Sequence, residues 1–192
     1  MTLLVFALIL ERSHQCPNGL DISGGDASML QVVFRSQLTI LLSYLDIQQS
    51  CLEAARSNRK AGVTGFMVEC GGVFLQSIEG QRSDVTKALQ RVHRDTRHGN
   101  IRIVYSEQGI PRRRFGAWAM NVMFLDDDSL CKTVFGSEYA CDEMLVPSMD
   151  PAFAMGVLAV AYRHACSMTA IAPAAGGGGL GRIPRIDDMI GR

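Results

Sequence analysis

The sequence predicts an α+β fold of the ferredoxin-like kind, with a βαββαββ sheet, two helices on one sheet face and a C-terminal helical cap. Two observations carry this prediction. Strand-like and helix-like segments follow one another in that order over about 97 residues (29–125), and two of the strands are separated by a Gly-Gly pair typical of a tight hairpin. A hydrophobic content of 47% is sufficient for a packed core.

The first strand and helix have clear local signals. Leu30–Ser36 (LQVVFRS) is rich in β-branched and aromatic residues, which predicts a buried strand. Ser43 and Asp46 form a capping-box-like pair, so a helix begins at Ser43 and continues to about Asn58. Ala61-Gly62 then stops the helix.

A hairpin and a second helix come next. Val63–Glu69 and Val73–Glu79 predict two strands joined at Gly71-Gly72. Ser83 predicts the N-cap of a helix whose apolar residues recur with helical spacing and which ends near Asp95.

The last predicted elements are two strands and the cap. Ile101–Ser106 and Ala117–Leu125 predict the fourth and fifth strands, separated by a loop that contains Pro111. Pro151 begins a helix within the predicted cap, residues 126–168.

The ends of the chain are predicted to lie outside the folded unit. Residues 1–28 combine a short apolar stretch with a Gly-rich segment, so we expect a flexible extension and a domain that begins at Met29. Residues 169–192 are rich in Gly and predict a flexible tail.

Charge and cysteine usage disfavour several classes of protein. Nineteen basic and nineteen acidic residues give no basic excess, which disfavours nucleic acid as a partner. The six cysteines include no CxxC pair, so no metal site is predicted and the thiols are expected to be reduced and mostly buried. The apolar residues 1–10 have no basic residue before them and are too few to span a bilayer, so we expect a cytoplasmic chain without a membrane partner.

Two amides could carry chemistry, although each has an ordinary structural interpretation. Gln76 lies mid-strand on the same face as Phe74 and Ile78, where a buried amide needs hydrogen-bond partners; an exposed polar residue on a half-solvated sheet is the alternative. Asn58 stands at a predicted helix end, where capping is the simpler interpretation.

Charged residues near the second helix are similarly ambiguous. Arg91 and Asp95 have the i,i+4 spacing of a surface ion pair. Arg97-His98 could hold an anion or be exposed, and the run Arg112–Arg114 is expected to be solvated.

The motifs taken together resemble the BLUF family of blue-light sensors that use FAD. The resemblance covers residues 30–125 and rests on an N-x4-V-T-G run from Asn58, FLQxxEG at 74–80, RDxRH at 94–98 and RRF-x-x-W-x-M at 113–120. It implies that FAD lies between the two helices over the sheet. The cofactor-binding residues implied by this resemblance are Phe34, Ser50, Asn58, Gln76, Arg91, Asp95, Arg97 and His98.

The resemblance also implies a signalling route, from which this sequence departs at the first strand. In the family, a tyrosine on the first strand supplies an electron and a proton to the photoexcited flavin, and the neighbouring glutamine changes its hydrogen bonds. Here the signalling residues are Gln76, Trp118 and Met120, but Phe34 occupies the tyrosine position. Because phenylalanine has no hydroxyl and is harder to oxidise, we expect flavin binding with an impaired photocycle.

Three functions follow from this interpretation. The first is a non-enzymatic FAD-binding photoreceptor that signals to a separate downstream protein, and an open sheet makes a homo-oligomer plausible. The second is a light-insensitive interaction regulator on the same fold. The third and least favoured is a flavin-dependent enzyme.

Overall fold

The computed structural model describes residues 29–125, 131–132 and 149–170. Eight regular elements are given for these described residues, and the predicted order of the first seven is confirmed. They are β1 (Met29–Leu38), α1 (Tyr44–Lys60), β2 (Thr64–Cys70), β3 (Val73–Gln81), α2 (Arg82–Arg94), β4 (His98–Gln108), β5 (Val122–Phe124) and α3 (Pro151–Ala170).

The strands form one five-stranded mixed sheet in the order β4-β1-β3-β2-β5. β1 pairs antiparallel with both β3 and β4, and β2 pairs antiparallel with β3 and parallel with β5. β1 and β3 are therefore central strands. Side chains on these two strands can be buried on both faces of the sheet, which explains why polar residues on them need internal partners.

Each sheet face has its own core. Val32, Phe34 and Ile78 point to the face covered by α1 and α2, where they pack with residues such as Ile47 and Val85. The alternate strand residues point to the opposite face. There Val33, Leu75 and Phe66 pack against Val157 and Leu158 of α3. The predicted α+β architecture, with two helices on one face and a helical cap on the other, is confirmed.

The helix boundaries agree with the sequence at three ends and differ at a fourth. Ser43 and Asp46 form the predicted capping box, α2 ends at the C-cap Asp95, and α3 begins at Pro151. The N-cap of α2 is Gln81, not Ser83, and no side chain caps it. The first helical turn begins directly where β3 ends, which leaves no loop in which Ser83 could act as a cap.

The predicted hairpin is confirmed, but the fifth strand is shorter than expected. Gly71 and Gly72 both have positive φ, as a two-residue hairpin turn requires. β5 contains only Val122–Phe124, whereas a strand over residues 117–125 was predicted. Residues 117–121 are instead held by separate hydrogen bonds to β2, α1 and α3. The apolar character of Trp118 and Met120 therefore reflects their burial and not a strand.

Other expectations concern termini and thiols. The predicted extension 1–28 and most of the predicted tail 169–192 lie outside the described residues, and α3 continues to Ala170. The four described cysteines are thiols, and Cys51, Cys70 and Cys131 are buried. No helix in the described part of the chain has the length and hydrophobicity needed to cross a membrane.

Candidate cofactor site between the two helices

A cavity of about 220 Å³ lies between α1 and α2 above the sheet. Apolar side chains such as Ile47, Met67, Phe74 and Ala88 form much of its wall. Its polar lining includes seven of the eight residues predicted to bind cofactor: Ser50, Asn58, Gln76, Arg91, Asp95, Arg97 and His98. These residues come from three separate segments of sequence, and the fold brings them to one place.

Phe34, the eighth predicted residue, is fully buried directly beside this group. Its Cα pairs with that of Gln76 in the β1–β3 register, and its side chain belongs to the core on the helix-covered face. Gln76 is 6% exposed on the central strand β3, so it is not a residue of a half-solvated surface. The hydrogen bond that the structure gives its side chain runs from Nε2 to the sulfur of Met120 at 3.5 Å.

Asn58 connects α1 with two other parts of the site. It is a buried residue inside α1, where the helix C-cap is Ala61, so the capping interpretation is wrong. Its Nδ2 donates to the carbonyl oxygen of Ala119 at 3.0 Å, and its Oδ1 accepts from Arg91 Nη2 at 3.0 Å. The guanidinium of Arg91 has five N–H donors, so further donors remain for a ligand.

The other end of the cavity has a carboxylate–guanidinium pair. Arg97 donates to both oxygens of Asp95 from Nε (2.8 and 3.1 Å) and from Nη2 to Oδ2 (2.6 Å), while its Nη1 donates to Ser50 Oγ at 2.6 Å. Asp95 therefore forms its ion pair with Arg97. The predicted i,i+4 ion pair between Arg91 and Asp95 is replaced by this pair and by the bond from Arg91 to Asn58. Arg97 bridges the end of α2 to α1 across the cavity.

His98 lies next to this pair and is half-buried. Its Nδ1 is 3.0 Å from Ser36 Oγ, and its ring packs on Phe74 with centroids 5.2 Å apart. Hydrogen bonding to Arg97 lowers the pKa of Asp95, while burial lowers the pKa of His98.

The lowered pKa of His98 predicts a loss of stability in mild acid. Below a pH of about 6.5 the unfolded chain binds a proton on this histidine more readily than the folded chain does, so the free energy of unfolding decreases as the pH falls. Urea unfolding between pH 7.5 and 5 checks this. His98→Gln should make the pH dependence shallower, and a slope equal to that of the unmodified chain would contradict the prediction.

Met120 and Trp118 face opposite sides of the sheet. Met120 lies in the core on the helix-covered face and contacts Gln76. Trp118 stacks with Phe66 at 5.9 Å and meets the ring of Tyr162 from α3 edge-on at 5.3 Å. Of the two, only Met120 lines the described cavity.

A buried polar network on the opposite face was missed by the sequence analysis. Glu79 is fully buried and accepts hydrogen bonds from the backbone N–H groups of Arg114 and Phe115 and from Gln31 Nε2. Arg114 bonds Gln31 and Glu107, and Arg113 bonds Thr64. The prediction that the arginine run is solvated is therefore wrong for Arg113 and Arg114. The Glu79-Gly80 pair at the end of the 74–80 motif was the sequence feature that could have indicated their partner. Burial raises the pKa of Glu79, an effect that the two N–H donors oppose.

The cavity residues fit a flavin ring. The edge of an isoalloxazine alternates hydrogen-bond acceptors with one donor, and the cavity presents amide, guanidinium and carboxylate groups that complement both kinds of atom. The apolar walls suit the remainder of a flat aromatic ring.

Comparison with known proteins agrees with this chemistry. Residues 29–121 match the family described as BLUF, sensors of blue-light using FAD. Photoactivated adenylate cyclase subunit beta of Euglena gracilis is 30% identical over 81 residues, which are 42% of this chain and 9% of that protein. Subunit alpha from the same organism is 25% identical over 84 residues, 44% of this chain and 8% of that protein. The chain thus aligns with less than a tenth of either relative.

Two solved structures show the same fold. The dark-state structure of the BLUF protein BlrB has a TM-score of 0.56 at 22% identity, covering 69% of this chain and 97% of that one. The photo-activated state of BlsA has a TM-score of 0.56 at 22% identity, covering 69% and 96%.

The family match assigns a sensor domain of the flavin-binding class to residues 29–121, just under half of the chain. This part of the chain is a BLUF domain, the domain of the blue-light photoreceptor family.

Proposed function

We propose that this chain binds FAD in the cavity between α1 and α2 and acts in signalling without catalysing a reaction itself. The observation that carries the proposal is the convergence of seven predicted cofactor residues on one cavity. FAD supplies blue-light absorption and accepts an electron. The chain positions the ring edge through Asn58, Arg91 and Asp95, and Gln76 faces the ring from the sheet.

The residue beside Gln76 determines how strongly the chain responds to light. Phe34 has no hydroxyl to donate to the amide and no proton to give, so the family's photocycle is impaired in this chain. This observation also favours a second candidate function, a light-insensitive interaction regulator that retains the fold and the cavity.

The proposed signal leaves the domain towards a separate protein. Met120 contacts Gln76, and Trp118, two residues earlier, packs on Tyr162 of α3, so the segment between them joins the cavity to the C-terminal helix. We propose a downstream partner that contacts the region from residue 116 to α3. A homo-oligomer through the open edge strand β4, where Ile103 is 56% exposed, is a further part of the proposal.

A visible absorption spectrum of the full chain tests the proposal. After reconstitution with FAD and removal of unbound FAD, we expect a yellow protein whose spectrum shows little or no reversible red shift after blue light. Ala54→Trp, which fills the cavity from α1, should abolish FAD retention. Ala152→Trp, at an exposed position in the first turn of α3, is the control and should retain it.

The outcomes separate the candidates. A chain that stays colourless after reconstitution would overturn the cofactor assignment. A full reversible red shift in the unmodified chain would overturn the impaired photocycle and the light-insensitive alternative.

A further inference from the structure

The segment from Trp118 to Asn121 is fixed along its backbone by residues on both sides. The N–H of Gly65 donates to Trp118 O at 3.0 Å, and the N–H of Met67 donates to Asn121 O at 2.9 Å. Between them, Asn58 Nδ2 holds Ala119 O at 3.0 Å. Because the backbone is held at three points, the position of the Met120 side chain depends on the space available to it.

That space exists because residue 65 has no side chain. A Cβ atom on Gly65 would lie 2.7 Å from Met120 Cε and 3.3 Å from its sulfur, closer than carbon atoms approach without displacement. The backbone conformation of Gly65 is not left-handed, so its dihedral angles do not require glycine. The requirement at this position is therefore room for Met120.

The displaced group in an alanine variant would be the methionine. The clashing atoms are the far end of a flexible side chain, whereas the other close neighbour, Ser77 O at 3.0 Å, belongs to a central strand. Moving Met120 changes its contact with Gln76 Nε2, a hydrogen bond of 3.5 Å to a weak sulfur acceptor.

We propose that Gly65 is a positioning residue. Because it has no side chain, the Met120 side chain can lie against the Gln76 amide. Its importance for signalling rests on the proposed function, because Gln76 is the switch residue only if flavin binds beside it. The placement of Met120 by Gly65 is a property of the protein alone.

The test uses the full chain without cofactor, labelled for NMR at methionine methyl groups and glutamine side-chain amides. Gly65→Ala should shift both the Met120 methyl and the Gln76 amide resonances. Gly99→Ala is the matched control, since a Cβ there would lie 2.8 Å from Thr39 Cγ2, just after the end of β1, and it should leave the Met120 methyl resonance unchanged. In a Met120→Ala background, which lacks the clashing atoms, Gly65→Ala should cause no further shift of the Gln76 amide.

Two results would overturn the proposal: unchanged resonances in Gly65→Ala, or a Gln76 shift that persists undiminished in the Met120→Ala background, which would assign the effect to Ser77. If Gly65→Ala alone fails to fold, Met120→Ala must rescue folding, and an unfolded double variant overturns the proposal as well. A chain that passes this test but retains no FAD would refute the proposed function and leave the role of Gly65 standing.

Discussion

Replacing Phe34 by tyrosine is expected to give the FAD-loaded chain a reversible red shift in blue light that the unmodified chain largely lacks. Phe34 is paired with Gln76 across the central strands, and its ring is buried on the side of the sheet that carries the cavity. The added hydroxyl therefore introduces an oxidisable donor next to the amide. Gln76 accepts this hydrogen bond through Oε1, which compensates for burying the hydroxyl.

The measurement is the absorption difference between dark and illuminated protein and its recovery in the dark. Phe66→Tyr is the matched control, because Phe66 is equally buried but packs in the aromatic cluster on the opposite face. It should gain no shift. In the Phe34→Tyr background, Gln76→Leu should remove the shift again. A Phe34→Tyr variant that binds FAD but does not respond to light would show that Phe34 is not the residue limiting the photocycle.

The fold could be predicted because most of its information is local. Ser43 and Asp46 bond to each other within one helical turn, and Gly71-Gly72 makes a turn through its own dihedral angles. Alternation along β3 put Gln76 on the same face as Phe74 and Ile78, and all three line the cavity. Signals of this kind depend on residues that are close in sequence, so they can be recognised without knowledge of the tertiary structure.

The partners of the polar residues could not be predicted for the opposite reason. Asn58 bonds a carbonyl 61 residues away, and Glu79 bonds backbone groups 35 and 36 residues away. A helix-terminal asparagine and an arginine run have frequent local explanations, which the sequence alone favours. Similarly, the mainly apolar segment 117–121 has the sequence pattern of a strand, although separate hydrogen bonds hold it and it is not part of a strand. Burial and strand formation favour the same residue types.

The buried carboxylate of Glu79 gives the largest expected effect on stability. Glu79→Ala removes the acceptor of the Arg114 and Phe115 backbone N–H groups and one of the two acceptors of the Gln31 amide, which keeps its bond to Ser77 Oγ. We expect a decrease in the free energy of unfolding of about 3–5 kcal/mol, the range observed when one partner of a buried charged network is removed. Urea unfolding monitored through Trp118 fluorescence measures it.

The controls distinguish the buried acceptor from charge alone. Glu79→Gln keeps one carbonyl oxygen but turns an NH₂ group towards an N–H donor, so its loss should fall between those of Glu79→Ala and the wild type. Glu107→Gln removes the partially exposed carboxylate that pairs with Arg114 at 2.7 Å, and such pairs contribute about 1 kcal/mol or less. Equal losses at Glu79 and Glu107 would show that the chain depends on the net charge around Arg114. A much larger loss at Glu79 would show that its carboxylate fixes the backbone of residues 114–115, from which the chain continues to Trp118 and Met120.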